Sequence, residues 1–310
     1  MKNNPNLNQP DPDAHEIDLK ELFIILWEGR ILLAGLTIFF SIIAIIYSLS
    51  LPNLYKSNAI LAPVEQTSVA QPSQVFGGLA AIAGINDIRP VSSKELEAIE
   101  KIQSLSFFAE NIMPNIFLPD LMAIKSWDPD SNTIEYEDDK YNKVSQRWVR
   151  KFNYPKKQIP SAQESYKQFI KIMDVKKDEE NDFLNISVKH QSPYIAEAWT
   201  RLIVDEINEL YKTNDRLESE AAINYLNLQI AQTSYTEIRL VIANLLEQKM
   251  QQMALIEANR FYLFSYIDPP TVMEEKFSPK RSSISILGAV FGFMLGVLMV
   301  LVINFFKKRS

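Results

Sequence analysis

Side chains suited to chemistry are few and scattered in this sequence. Its two histidines, His15 and His190, lie far apart, one in a polar tail and the other at the end of a strand pattern. A zinc site built on imidazoles needs several ligands that converge, and acid–base catalysis needs a positioned partner for each group. No such spacing stands out, so His190 reads as a cap or surface residue. Acidic residues cluster at 135–139 and 178–182, but without the Asp/Asn-plus-Gly spacing of a calcium loop. Both read as solvated turns. The Gly77-Gly78 pair is no phosphate loop, because GxxxxGK[ST] occurs nowhere. The chain has no cysteine, which removes disulfides, thiol chemistry and cysteine metal sites. Asn185-Ile186-Ser187 matches a glycosylation triplet inside a strand pattern, where it is discounted. The sequence therefore predicts no catalytic residue, no cofactor and no metal.

One spacing does carry a mechanism. Gly288, Gly292 and Gly296 recur at every fourth residue, so that two GxxxG steps share one helix face and admit close approach by another helix. The candidate neighbours are another apolar run of this chain, the same helix in a second copy, or a membrane partner. These glycines lie in residues 284–306 (ISILGAVFGFMLGVLMVLVINFF), and a second run covers 31–51 (ILLAGLTIFFSIIAIIYSLSL). Neither holds a charge, and each exceeds the roughly 20 residues that cross a bilayer core. Ser48-Leu49-Ser50 imitates a signal-peptidase site, but the long apolar run and the acidic stretch before it argue for a retained anchor.

Two spans place both termini on one side. The expected organisation is a cytoplasmic segment 1–30, a span 31–51, a large extracytoplasmic region 52–283, a span 284–306 and a cytoplasmic tail 307–310. The large region holds 26 basic and 32 acidic residues, a net charge of −6, with no nucleic-acid footprint.

Within it, residues 55–63 (YKSNAILAP) have strand character, and residues 66–90 read as a loop carrying the short apolar stretch 75–85. Residues 92–113 predict one helix, opened by a capping box of Ser92 and Glu95. Residues 117–161 are turn-rich, 162–172 helical, and 172–176 with 183–189 form a hairpin. From Tyr194 to Asp268 there is neither Pro nor Gly. That predicts mostly one long helix over about 193–268, reaching about 110 Å at 1.5 Å per residue, with a break near Asn214 in the charged stretch 212–220. Ser192 and Pro193 supply its start, the Ser hydroxyl as cap. Its apolar stripe, including Ile238, Ile242, Leu245, Leu246, Met250 and Met253, predicts lateral assembly. Pro269, Pro270 and Pro279 then make a stiff extended connector to the second span.

Several stretches together resemble one family. EIDLKELFIILW before the first span, the WDP at Trp127 to Pro129, HQSPYIAEAW at His190 to Trp199, and the prolines leading into SPKRSSISILGAVFGFMLG are similar to the Wzz-type O-antigen chain-length determinants, the polysaccharide co-polymerases. The resemblance implies an α+β fold, with two transmembrane helices flanking a periplasmic α/β base domain that carries a very long helical protrusion. It also implies a Gram-negative inner-membrane protein forming a ring, often an octamer, and modulating how far a Wzy-type polymerase extends undecaprenyl-linked O-antigen. By motif position, Pro269, Pro270 and Pro279 match the family's proline-rich segment. Gly288, Gly292 and Gly296 match its second span, where the polymerase is engaged. Expected partners are thus other copies of the chain, the polymerase, membrane lipid and undecaprenyl-linked polysaccharide. Alternatives are a regulator of another glycan, such as enterobacterial common antigen, or a periplasmic adaptor or sensor.

Overall fold

The computed structural model describes residues 19–64 and 91–309, so the N-terminal tail and the loop expected over 66–90, with its apolar stretch, lie outside the described residues. It divides into two units, Met1–Pro52 with Ser278–Ser310, and Asn53–Phe277.

The first unit is helical: α1 (Leu19–Glu28), α2 (Arg30–Ser50) and α8 (Arg281–Arg309). Gly29 separates α1 from α2, and the Arg30 guanidinium lies over the Trp27 ring at 5.1 Å. α2 and residues Arg281–Lys307 are long and apolar enough to cross a membrane, with mean hydropathies of 2.4 and 2.8. Both expected spans fall on these helices, with α2 displaced from its span by one residue.

The second unit is built on a four-stranded antiparallel sheet in the order β6-β7-β1-β8, where β1 is Tyr55–Pro63, β6 Met173–Lys177, β7 Leu184–His190 and β8 Phe264–Asp268. Alternation along β1 buries Ser57, Ala59 and Leu61 and leaves Lys56, Asn58 and Ile60 half-exposed, as a period of two requires. The buried side joins Ile186, Val188 and Phe264 to Trp199, Ile203, Val204 and Ile207 of α6 (Pro193–Gln232) in one core.

The helical arm differs from the sequence expectation. Instead of one rod over 193–268, α6 ends at Gln232, residues 233–235 are extended, and α7 (Thr236–Ala258) runs back beside α6. The return is fixed by Lys212, whose ammonium donates to the Asn259 carbonyl at 3.1 Å, and by Arg216 within 4.0 Å of Glu257. α6 alone is about 60 Å long. The reversal falls at Thr233-Ser234-Tyr235, where hydroxyl and β-branched side chains disfavour the helix. The charged stretch 212–220 stays helical, with Lys212 bonded to the Asn259 carbonyl, Asp215 to Lys94 and Tyr262, and Arg216 beside Glu257. Residues 264–268 are β8, not helix.

Two smaller differences follow local chemistry. The helix expected over 92–113 is α3 (Val91–Ile102), followed by helical turns from Leu105 to Asn115. It restarts where Ser104 Oγ accepts from the Phe107 N–H. The turn-rich region holds α4 (Leu118–Met122) and two hairpins, β2 (Ile124–Asp128) with β3 (Thr133–Tyr136), and β4 (Tyr141–Asn142) with β5 (Arg147–Trp148). α5 (Ala162–Ile172) carries a full capping box of Ser161 and Glu164. Arg150 holds both Glu164 oxygens at 3.1 and 2.8 Å, and this charge-assisted pair pulls the carboxyl down to about 2.

Candidate functional site

His190 is buried, not on the surface, and sits in a closed hydrogen-bond circuit. The Ser192 N–H donates to Nδ1 at 3.0 Å, which leaves Nε2–H to donate to the Asp120 carbonyl at 3.0 Å. The ring also meets Trp199 edge-on at 5.1 Å. Ser192 therefore opens α6 through its backbone, and its hydroxyl does not cap the helix. Tyr136 donates its hydroxyl to the Asp120 carboxylate at 2.5 Å; burial, then the Asp120 partner, pushes the phenol well above its ordinary range.

This circuit positions elements, and its protonation has a measurable consequence. Burial lowers the His190 pKa below 6.5, whereas the unfolded chain takes up its proton near 6.5. The unfolded state then binds more protons as pH falls through that window. Stability contributed by neutral His190 is full above 6.5 and drains by up to about 1.4 kcal/mol per pH unit below it. The Asp120 carboxyl, raised from 3.8 by burial, acts in a lower window and with the opposite sign. Denaturation midpoints of the full chain should fall on acidification from about pH 7.5 to about pH 5.5, and His190→Gln should flatten that slope. An unchanged slope in the variant would show that His190 is not the sensor.

A second buried polar group fixes the arm. Asp215 of α6 accepts from Lys94 of α3 at 2.7 Å and from the Tyr262 hydroxyl. Seven residues back, Asn208 is buried. Its Oδ1 accepts from the N–H groups of Leu263 at 2.8 Å and Phe264 at 2.9 Å, while Nδ2 donates to the carbonyls of Phe264 at 3.1 Å and Val204 at 3.0 Å. One amide thus turns the chain out of the arm and into β8. Sequence reasoning missed it, although an Asn standing in the apolar stripe Ile203, Val204, Ile207, Tyr211 was a visible signal.

The acidic turn after β6 satisfies itself, with Asp178 accepting from the Glu180 N–H and the Asn181 amide. Among the described residues, no group of three His, Cys, Asp or Glu side chains is placed to hold a metal ion.

The glycines of α8 meet α2. A Cβ at Gly288 would overlap the Ala44 methyl; at Gly292 it would lie 2.9 Å from the Leu36 carbonyl oxygen, 2.9 Å from Phe40 Cβ and 3.0 Å from Thr37 Cα; at Gly296, 3.2 Å from Leu33 Cα. Gly29 extends the seam, since a Cβ there would come within 2.5 Å of Val300. The pairing order, 44 with 288 and 29 with 300, makes the helices antiparallel. Gly35 faces elsewhere, with nothing within 4 Å among the described residues.

Of the proline segment, Pro269 and Pro270 begin an extended strap. Arg201 donates to the Pro270 carbonyl at 3.4 Å, Ser57 to that of Thr271 at 2.8 Å, and the Phe277 N–H to that of Leu54 at 2.8 Å. Pro279 lies just ahead of α8, in the other unit. On α7, Ile242, Leu245, Leu246 and Met253 are half-buried, whereas Ile238 and Met250 are exposed.

The seam joins two antiparallel membrane-length helices, and the second unit is a sheet bearing a helical arm. Residues 15–113 match the family model Wzz, chain length determinant protein. The Wzz match runs from just before α1 through α2 and β1 to the helical turns after α3. No curated protein matches the chain. Among solved structures, a full-length bacterial polysaccharide co-polymerase is 16% identical, covering 94% of this chain and 99% of its own, with a TM-score of 0.41. A fragment of WzzB, a polysaccharide co-polymerase from Salmonella Typhimurium, is 14% identical over 73% of this chain and 100% of its own, with a TM-score of 0.28. The Wzz match and the two membrane-length helices are consistent with an inner-membrane protein.

Proposed function

We propose that this chain is a non-enzymatic inner-membrane scaffold that sets the length of lipopolysaccharide O-antigen made by a Wzy-type polymerase, with residues 52–283 in the periplasm, working as a ring of identical subunits. The Wzz match over residues 15–113 carries this reading. Two features support it. The arm keeps Leu217, Tyr225 and Leu228 of α6 and Ile238, Leu240 and Met250 of α7 exposed, and a shallow apolar groove on α7 runs along Ala243, Leu246, Met250 and Ala254. That is surface for neighbouring subunits to cover. The glycine face of α8 is already filled by α2 of the same chain, so the polymerase is assigned to the remaining lipid-facing surface of the pair.

The test is the lipopolysaccharide banding pattern after deletion and restoration of the gene. Deletion should replace a modal cluster of long chains by a random distribution, and restoration should bring the cluster back. An unchanged pattern would turn the reading to another surface glycan or to an adaptor.

A further inference from the structure

Residues 147–159 (RWVRKFNYPKKQI) hold five cations, Arg147, Arg150, Lys151, Lys156 and Lys157, and no acidic residue. One of the five organises the rest. Besides Glu164, Arg150 donates to the carbonyls of Lys157 at 2.6 Å and Gln158 at 2.8 Å, which closes the segment into a loop on a half-buried guanidinium. Lys156 lies 3.5 Å from Glu164, yet its side chain remains 61% exposed. What this framework presents outward is apolar and aromatic: Phe152 is 51% exposed, Tyr154 97% and Ile159 62%.

Holding such side chains in water on a fixed loop stabilises nothing within the unit. Aromatic rings set among lysines, with no carboxylate between them, match a bilayer interface. There the rings occupy the headgroup level while ammonium groups meet lipid phosphates. The place of the loop in its unit agrees. It continues from β5, whose Trp148 packs on Tyr141 and through it on Tyr136, and Tyr136 bonds Asp120. In the same subdomain Trp127 meets Tyr55 edge-on at 5.5 Å. Tyr55 and His190 are paired at the sheet end where the chain enters from α2, and Phe277 bonds Leu54 where it leaves for α8. The neighbouring β2–β3 hairpin and the turn after it are acidic, with Asp128, Asp130, Glu135, Glu137, Asp138 and Asp139, so within this subdomain residues 147–159 are the segment whose charge suits an anionic surface.

We infer that residues 147–159 form a membrane-interface element that seats Phe152 and Tyr154 among the headgroups of an anionic bilayer, with Lys151 and Lys157 against lipid phosphates. The absence of cysteine allows a clean test on the full chain in lipid nanodiscs. An environment-sensitive fluorophore at Asn153→Cys lies between the two rings and leaves both in place, and Glu179→Cys, on the exposed β6–β7 turn, is the solvated reference. In discs containing phosphatidylglycerol and nitroxide-bearing lipid, the label at 153 should be blue-shifted and quenched, and that at 179 should not. Each lysine near an anionic leaflet is worth about a fivefold preference, so Lys151→Glu with Lys157→Glu should lower the preference for the lipid-bound state by about 25-fold or more. Phe152→Ser with Tyr154→Ser should abolish the blue shift. A label at 153 as solvated as that at 179 would overturn the inference. So would quenching that is equal in phosphatidylcholine discs and indifferent to the charge reversal, or a response only to added acidic polysaccharide.

Discussion

Gly292→Leu is expected to part the two membrane-length helices. At this position the space for a Cβ is taken by the Leu36 carbonyl oxygen and Thr37 Cα as well as by Phe40 Cβ, all within 3.0 Å. Backbone atoms cannot swing aside as the end of a flexible side chain can, so the helices themselves must separate. In lipid, association rests on packing and hydrogen bonds without a hydrophobic drive. An overpacking penalty of about 1–3 kcal/mol is therefore a large share of what holds the pair. Phe40 and Phe291 report on the seam, their rings 5.5 Å apart. With Phe40→Cys and Phe291→Cys in the otherwise cysteine-free chain, a short thiol cross-linker should join the spans. The product should survive Gly35→Leu and be largely lost in Gly292→Leu. Equal cross-linking in both would mean that glycine does not set the approach.

Asn208→Ala should be the most damaging change in the second unit. It removes the acceptor for two buried N–H groups and the donor to one buried carbonyl of the β8 entry. Each orphaned buried group costs about 1–3 kcal/mol, so a loss of about 3–5 kcal/mol is expected, at the upper end for a single substitution. Asn208→Asp keeps the acceptor and should fall between. Denaturation midpoints of the full chain in detergent, together with the rate of proteolysis between Ala258 and Phe264, measure both. A midpoint shift in Asn208→Ala no larger than that of an exposed control such as Asn224→Ala would refute the clamp.

Why some features were legible and others were not follows from where their determinants lie. The strand Tyr55–Pro63, the β6–β7 hairpin and helix Ala162–Ile172 are specified by their own alternation, turn and cap residues, and a local reading reaches them. The end of the arm is specified elsewhere. Residues 264–268 contain no Pro or Gly and pass for helix, yet Asn208 and the edge of β1 hold them as strand. The charged stretch 212–220 looked like a break because its partners, Asn259, Tyr262, Glu257 and Lys94, stand far away in sequence. For the membrane seam, a four-residue glycine spacing announces close packing but leaves the partner open. Gly29, a lone glycine between two helices, gives no sign that it faces Val300. His190 was misplaced for the same reason, since its burial depends on Asp120, some seventy residues earlier.

The two-helix arm is a cantilever. Among the described residues, the last fully buried ones are Ser219 on α6 and Ile256 on α7, and beyond them the two helices lie against each other. The free part from Ser219 to the reversal at 233 is about 20 Å long. A rotation of about 10° at the root would then carry the tip some 3–4 Å, roughly two residues of helical rise. Whatever loads the tip therefore works with leverage on the Asp215, Lys94 and Tyr262 cluster and on the Asn208 clamp, and a push at the root is read out, magnified, at Thr233.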